Sequence, residues 1–238
     1  ILSRKGLDSS AGGVPSPIMP DGRIFSLPIP QKEKSPNRYK NLQFDEFNGA
    51  ELLKSFKSKI KPNDYCHYDP RLNQKIGIFG QANAAQSELD NLEVQTGDLF
   101  LFFGWFRNAD MKGTDLHHLF GWLQIDEIIK GEKDIKNYLK LKKLDHPHGF
   151  EDVTRYKNNT LFIGANQLTL NRRKTFKRGH GLFKKTHRDL ILTEKNKTRS
   201  NWQFPKEFKN SQNLFMNRLQ WSDPKKVKLS YKGYGQEF

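Results

Sequence analysis

Two short segments bring imidazoles and carboxylates together. In Asp64–Pro70 (DYCHYDP), His67 and Asp69 alternate, so on an extended backbone both side chains point the same way. Such a pair suits acid–base chemistry, half of a metal site, or a plain structural His–Asp hydrogen bond. In Asp145–Gly149 (DHPHG), Pro147 fixes the backbone between His146 and His148. That places a general acid or a metal ligand at a loop tip, or else only a turn histidine. His117 and His118 are adjacent, so only one can face a given side of a strand, which argues against a shared metal role.

A third segment reads as anion chemistry. Ser3–Gly13 (SRKGLDSSAGG) is rich in small residues that let the backbone turn tightly and aim successive N–H groups inward as an anion nest. Arg4 and Lys5 add positive charge, and the hydroxyls of Ser3, Ser9 and Ser10 add donors. Asp8 is the odd member: a carboxylate beside a phosphate site must hold Arg4, a metal or a proton in transit. The spacing is neither that of a Walker A loop nor that of a dinucleotide fingerprint, and a Gly/Ser-rich connection is the plainer alternative. Gln81, beside the turn after Gly77–Gly80, offers an amide to read a base edge or to cap the helix that follows.

These groups need a frame, and Val94–Ile129 supplies its centre. Thr96-Gly97-Asp98 reads as a turn, Leu99–Phe106 (LFLFFGWF) as a strand buried on both faces, and His117–Ile129 as its antiparallel return. Strict alternation in the return strand puts Leu119, Gly121, Leu123 and Ile125 on one face and Phe120, Trp122 and Gln124 on the other. Gly104 and Gly121, inside the arms, mark a bulge, a bend or a close approach. Phe44–Ile60 has helical spacing with Asn48 as cap and Glu51 completing a capping box. Gly77–Leu89 reads as a strand end, a tight turn and a helix, and Lys130–Lys143 as another helix. Asn158-Asn159-Thr160 is a turn feeding a core strand, and Leu190–Thr193 is a further strand. Five prolines between positions 15 and 30 rule out a helix there and predict edge or loop chain.

Composition bounds the function. The 238 residues are 35% hydrophobic and 12% aromatic, enough for one substantial core. No apolar run approaches the ~18 residues of a membrane span. The single cysteine, Cys66, excludes an internal disulfide; with no secretory signal in view, a cytoplasmic setting is expected. Of the net charge of +15, residues 171–238 hold nearly all: 18 Lys+Arg against 5 Asp+Glu. Arg172–Lys185 (RRKTFKRGHGLFKK) reads as a flexible basic loop, with Arg172, Arg173, Lys174, Lys177 and Arg178 as candidate phosphate contacts. Trp202, Phe204, Trp221, Tyr231 and Tyr234 in the same portion offer rings for stacking. Leu214–Trp221 and the closing Gly235–Phe238 read as ordered packing or lid segments.

The opening ILSRKG-x-DSSAGG-x-PSP resembles the nucleotide modification associated domain 3 family. So do DGR, LPIP, HYDP, GQ-x-NAAQ-x-x-L, GDLFLFFGWF, HHLFGWLQI, HPH, NTLFIG, GLF-x-x-T and the closing GQEF, in that order. The resemblance covers nearly the whole chain. It implies a single domain of phages and bacteria associated with modification of nucleotides or DNA bases, and it implies no particular reaction. The Gly-Asp turn before an aromatic strand and the glycine-bearing return strand are also similar to PUA-like barrels such as the ASCH and EVE domains, which implies a cleft for RNA or modified bases.

The expected fold is therefore α+β: one domain with a mixed or barrel-like, PUA-like β core, a few helices and a basic C-terminal portion. The expected function is an enzyme acting on a nucleotide or a base in DNA, hypermodified DNA included. Phosphate is held by the Ser3–Gly13 loop with Arg4 and Lys5. Asp8, His67, Asp69, His146 and His148 are the candidates for acid–base or metal roles. The residues specify no cofactor and no membrane. The alternative is a non-catalytic reader that accepts a modified or flipped base against Trp105 or Trp122.

Overall fold

In a computed structural model, residues 1–110, 112–150, 155–206, 219–231 and 237 are described. Seven strands make its main sheet: β1 (Leu2–Arg4), β2 (Ser16–Ile18), β3 (Ile78–Gln81), β4 (Leu99–Asn108), β5 (Leu116–Lys130), β6 (Thr160–Gly164) and β7 (His180–Leu182). Their hydrogen-bonded order is β1-β4-β5-β6-β3, with β2 also on β4 and β7 also on β5. β1 and β2 run parallel to β4, and the other pairings are antiparallel. This mixed sheet curls into a half-barrel. Three helices, α1 (Gly49–Lys54), α2 (Asn83–Asn91) and α3 (Glu132–Lys142), complete an α+β domain among the described residues.

β4 is central because both its faces are greasy. Phe100, Phe102 and Phe106 enter one cluster with Phe79 and Phe162, and Phe103 enters another with Trp202 and Leu229 on the opposite face. Phe79 lies 5.0 Å from Phe100 and 5.1 Å from Phe102, both edge to face. Each fully buried ring of this kind contributes roughly 1.5–3 kcal/mol. At Gly104 a Cβ would stand 2.7 Å from the carbonyl oxygen of Lys5. The glycine thus lets the segment after β1 lie against β4, which positions Arg4 and Lys5.

The return strand departs from simple alternation. Its register against β4 slips between Leu119 and Gly121. A bulge adds a residue to one strand only, so Phe120 joins Leu123 and Ile125 in the cluster around Phe100, and Leu119 turns to Phe103 and Trp202. Alternation would have placed Leu119 with Leu123.

Helix α1 begins at the Asn48 cap, whose side chain accepts from the N–H groups of Ala50 and Glu51 while Glu51 reaches back to the Asn48 N–H. It is shorter than the apolar spacing of Phe44–Ile60 suggests. The residues before it pair as a small hairpin, Gln43–Phe44 with Phe47–Asn48, and Lys57 beyond it has left-handed backbone. Leu190–Thr193 is not a regular strand; Arg188–Leu190 forms a 3-10 turn, and Ile191 and Thr193 make single bridges to His118 and Trp202. Nor is Arg172–Lys185 one loose loop. Arg173–Lys174 pairs with Thr169–Leu170, and His180–Leu182 is β7. His180 is buried because Gly77 and Gly164 leave room for its ring, and it accepts from the Gly77 N–H at 3.2 Å. Trp202 and Phe204 are core residues rather than stacking platforms. Residues 214–218 of the Leu214–Trp221 segment, Tyr234, Gly235, Gln236 and Phe238 lie outside the described residues. Among the described residues no helix is long and apolar enough to cross a membrane.

Candidate functional site

Four separate stretches of chain converge on one cleft of about 790 Å³. The segment after β1 brings Arg4, Lys5, Asp8 and Ser10; the strand Tyr65–His67 and its exit bring His67 and Asp69; the end of β3 brings Gly80 and Gln81; and the 3-10 turn Pro147–Gly149 brings His148. Gln31, Lys32, Glu33, Glu88, Arg155 and Tyr156 also line it.

Asp69 is the hub of the floor. Its Oδ1 accepts from the Gly80 N–H at 2.9 Å and lies 3.1 Å from His146 Nε2. Its Oδ2 lies 4.0 Å from His67 Nε2. His146 Nδ1 in turn accepts from the His148 N–H at 3.3 Å. That leaves Nε2 as the protonated nitrogen of His146, the donor to Asp69. His148 Nδ1 meets Asn159 Oδ1 at 2.6 Å, and His67 Nδ1 meets Gln31 Oε1 at 3.1 Å. Tyr156 stacks on the His148 ring at 4.7 Å between centroids, and the rings of His67 and His148 meet edge to face at 5.2 Å. Burial pushes the His148 imidazole down to about 4, with Asp69 opposing the shift. Burial, then the neighbouring His148, lowers His67; burial lowers His146 well below the ordinary histidine range. All three are neutral at neutral pH.

The pairing of His67 and Asp69 on one side matches their alternation in the sequence. His146 and His148 are not at a loop tip. They are buried in a tight turn, with Asn159 Nδ2 donating to the His148 carbonyl at 2.8 Å. His146 sits behind Asp69 and does not line the cleft.

The opening loop is built around its own carboxylate. Asp8 Oδ1 accepts from the N–H groups of Ser10 and Ala11 and from the Ser10 hydroxyl, at 2.7–2.8 Å. Its Oδ2 lies 3.5 Å from Arg4 Nη2. Asp8 is thus the anion that this nest holds, and it holds Arg4, one of the three roles open to it. Ser3 is buried, and its hydroxyl donates to Glu237 at 3.1 Å; Lys5 Nζ donates to the same oxygen at 2.9 Å, and the Gln81 amide joins them. Gln81 Oε1 also accepts from the Ala82 N–H at the start of α2, the capping alternative. Ser9 lies outside the cleft lining, 3.5 Å from Arg199. Arg172, Arg173, Lys174, Lys177 and Arg178 are all exposed, and none lines the cleft. The cleft itself is charge-balanced: Arg4, Lys5, Lys32 and Arg155 against Asp8, Glu33, Asp69 and Glu88.

Neither tryptophan offered as a reading surface lies in the cleft. Arg199 covers the Trp105 ring at 4.2 Å, and Trp122 packs on Phe183 and donates to the Arg178 carbonyl.

The chain belongs to the nucleotide modification associated domain 3 family. The family model matches residues 1–238, the whole chain. No curated protein and no solved structure matches it. Membership associates the domain with nucleotide modification.

Sequence reasoning did not single out Gln31, Asn159, Tyr156 or Glu237 for this site. Asn159 was visible only as a turn residue, yet it holds His148; Gln31 sits in a charged, proline-containing stretch with no motif. Gly80 was visible only as part of a tight turn. Its role is steric: a Cβ there would meet the His148 ring.

Proposed function

We propose that this domain is an enzyme that acts on a nucleotide, or on a base in DNA, within a bacterial or phage DNA-modification system in the cytoplasm. The observation that carries the reading is the meeting of the Arg4–Lys5 segment with His67, Asp69 and His148 in one cleft. Its volume suits a nucleotide, since small-molecule sites run to ~300–1,000 Å³. Arg4, Lys32 and Arg155 supply positive charge for phosphate at the rim, with Arg4 exchanging Asp8 for the incoming anion. Tyr156 stacks on His148 with one face, and a turn of Arg155, which lies 4.5 Å over its ring, toward the phosphate would open the other face as an aromatic wall for a base. The lone pairs of neutral His67 and His148 and the Oδ2 of Asp69 form the reacting centre.

The exposed basic ribbon gives the enzyme a contact for polymeric DNA. Arg172, Arg173, Lys174, Lys177 and Arg178 surround a fully exposed Phe176, a pairing of charge and ring suited to a nucleic-acid strand. Enzyme is favoured over reader because Trp105 and Trp122 lie away from the cleft, while its floor carries three coordinated polar side chains.

The test is incubation of the protein with deoxynucleotides and with DNA, reading base products by mass spectrometry. His67→Ala is expected to abolish product while leaving substrate affinity nearly intact, and Arg4→Ala to weaken affinity. Substrate bound at this cleft with no product under any condition supports the reader instead.

A further inference from the structure

We infer that His67, Asp69 and His148 form a binding site for a divalent transition-metal ion at the floor of the cleft. One donor atom from each lies within 4.8 Å of the other two. Proximity alone is weak evidence. What carries the inference is how the surrounding polar groups fix each donor.

Gln31 Nε2 donates to the Lys34 carbonyl at 3.1 Å, so its Oε1 is the atom turned to His67 Nδ1. His67 Nδ1 therefore carries the proton and its Nε2 a bare lone pair. The same logic holds independently at the second imidazole. Asn159 Nδ2 is committed to the His148 carbonyl, so Asn159 Oδ1 accepts from His148 Nδ1, and His148 Nε2 is bare. Asp69 Oδ1 is taken by the Gly80 N–H and by His146 Nε2–H, which leaves Oδ2 as the oxygen on the His67 side. Three donors from two parts of the chain are thus each braced on the side away from a common point. Metal-binding histidines are braced in this way, the second ring nitrogen donating to a carbonyl or carboxylate oxygen. An acid–base pair needs only one such brace.

Two imidazoles and one carboxylate select a first-row transition ion over magnesium or calcium, and three protein ligands leave positions open to the cleft. Bonds of ~2.0–2.2 Å need donors about 3–3.5 Å apart, so the set draws in by roughly 1 Å on binding. His67, whose side chain keeps 17% of its surface exposed, is the residue placed to make that movement. A dication would also turn a charge-balanced cleft positive, which a phosphate-bearing substrate requires.

The test uses Co²⁺ alone, without nucleotide, so that it stands or falls apart from the proposed substrate. The full chain is expected to bind one equivalent with visible d–d absorption, and Zn²⁺ is expected to displace it and to raise the unfolding temperature. His67→Ala and Asp69→Asn are expected to weaken Co²⁺ at least ~100-fold, and Asn159→Ala about 10–100-fold with the absorption spectrum retained. Asp69→Asn keeps the Oδ1 acceptor, so it tests the metal without removing the hydrogen bond from Gly80. Absence of the absorption band in the full chain, or equal Co²⁺ affinity in the full chain and both ligand variants, overturns the site.

Discussion

Gly80 lies so close to His148 that a Cβ on the glycine would stand 2.4 Å from the imidazole Cδ2. The ring is held by Asn159 on one side and stacked by Tyr156 on a face, so it can retreat only by giving up one of these contacts. Gly80→Ala is expected to cost about 1–3 kcal/mol of stability by overpacking and to displace His148 from the cleft floor. Denaturant unfolding reads the first effect. Loss of product formation or of metal affinity reads the second. A variant as stable and as active as the parent would show that the ring does not rest on the glycine.

Acid should destabilise the fold through imidazoles that do not line the cleft. Burial lowers His117 to about 3 and His118 to about 4. Trp202 Nε1 donates to His117 Nδ1 at 3.0 Å, so that nitrogen must be unprotonated. Both folded values lie below the ordinary 6.5, so the unfolded chain binds more protons as pH falls. Their neutral form therefore contributes fully above pH 6.5, and the contribution is lost progressively below it, down to the folded values. Each contributes a slope of up to ~1.4 kcal/mol per pH unit in that window. Urea midpoints at pH 7, 6 and 5 should fall in step, and less steeply in His118→Gln. A flat profile would contradict the burial of these neutral rings.

Helix α1 depends on the cap that precedes it. Asn48→Ala removes the acceptor for two N–H groups and is expected to cost about 1 kcal/mol in denaturant unfolding. Asn48→Asp should recover most of it.

DNA affinity should be salt-dependent and carried by the ribbon. Neutralising Arg172, Arg173, Lys174, Lys177 and Arg178 together is expected to reduce the slope of log affinity against log salt by up to ~4.5. The check is a titration at several salt concentrations. An unchanged slope removes the ribbon from the DNA contact and leaves the cleft reading intact.

How far the sequence could be read depended on whether the governing forces were local. The hairpin of β4 and β5, the Asn48 cap and helix α3 follow from periodicity and capping within a few residues. The common side of His67 and Asp69 was expected from alternation, but Asp69 lies past the strand Tyr65–His67, where its N–H returns to the His67 carbonyl at 2.9 Å. Gly121 signalled a bulge, a bend or a close approach but not which of them, and so not the side exchange at Phe120, because a bulge depends on the partner strand. Neither was the burial of His146 and His148: Pro147 announces a turn but not what covers it. Gln31 and Asn159 act through hydrogen bonds across 36 and 11 residues, which no local pattern encodes.

Glu237 gathers the Ser3 hydroxyl, the Lys5 ammonium and the Gln81 amide onto one carboxylate oxygen. Two walls of the cleft are thereby laced together by a residue 232 positions after Lys5 and 156 after Gln81. Cleavage just upstream of Glu237, or its replacement by glutamine, would remove one carboxylate charge from beside Lys5 and make the cavity more cationic without touching any side chain that lines it. The electrostatic character of this chamber is thus governed remotely, by whether its last acidic residue is docked.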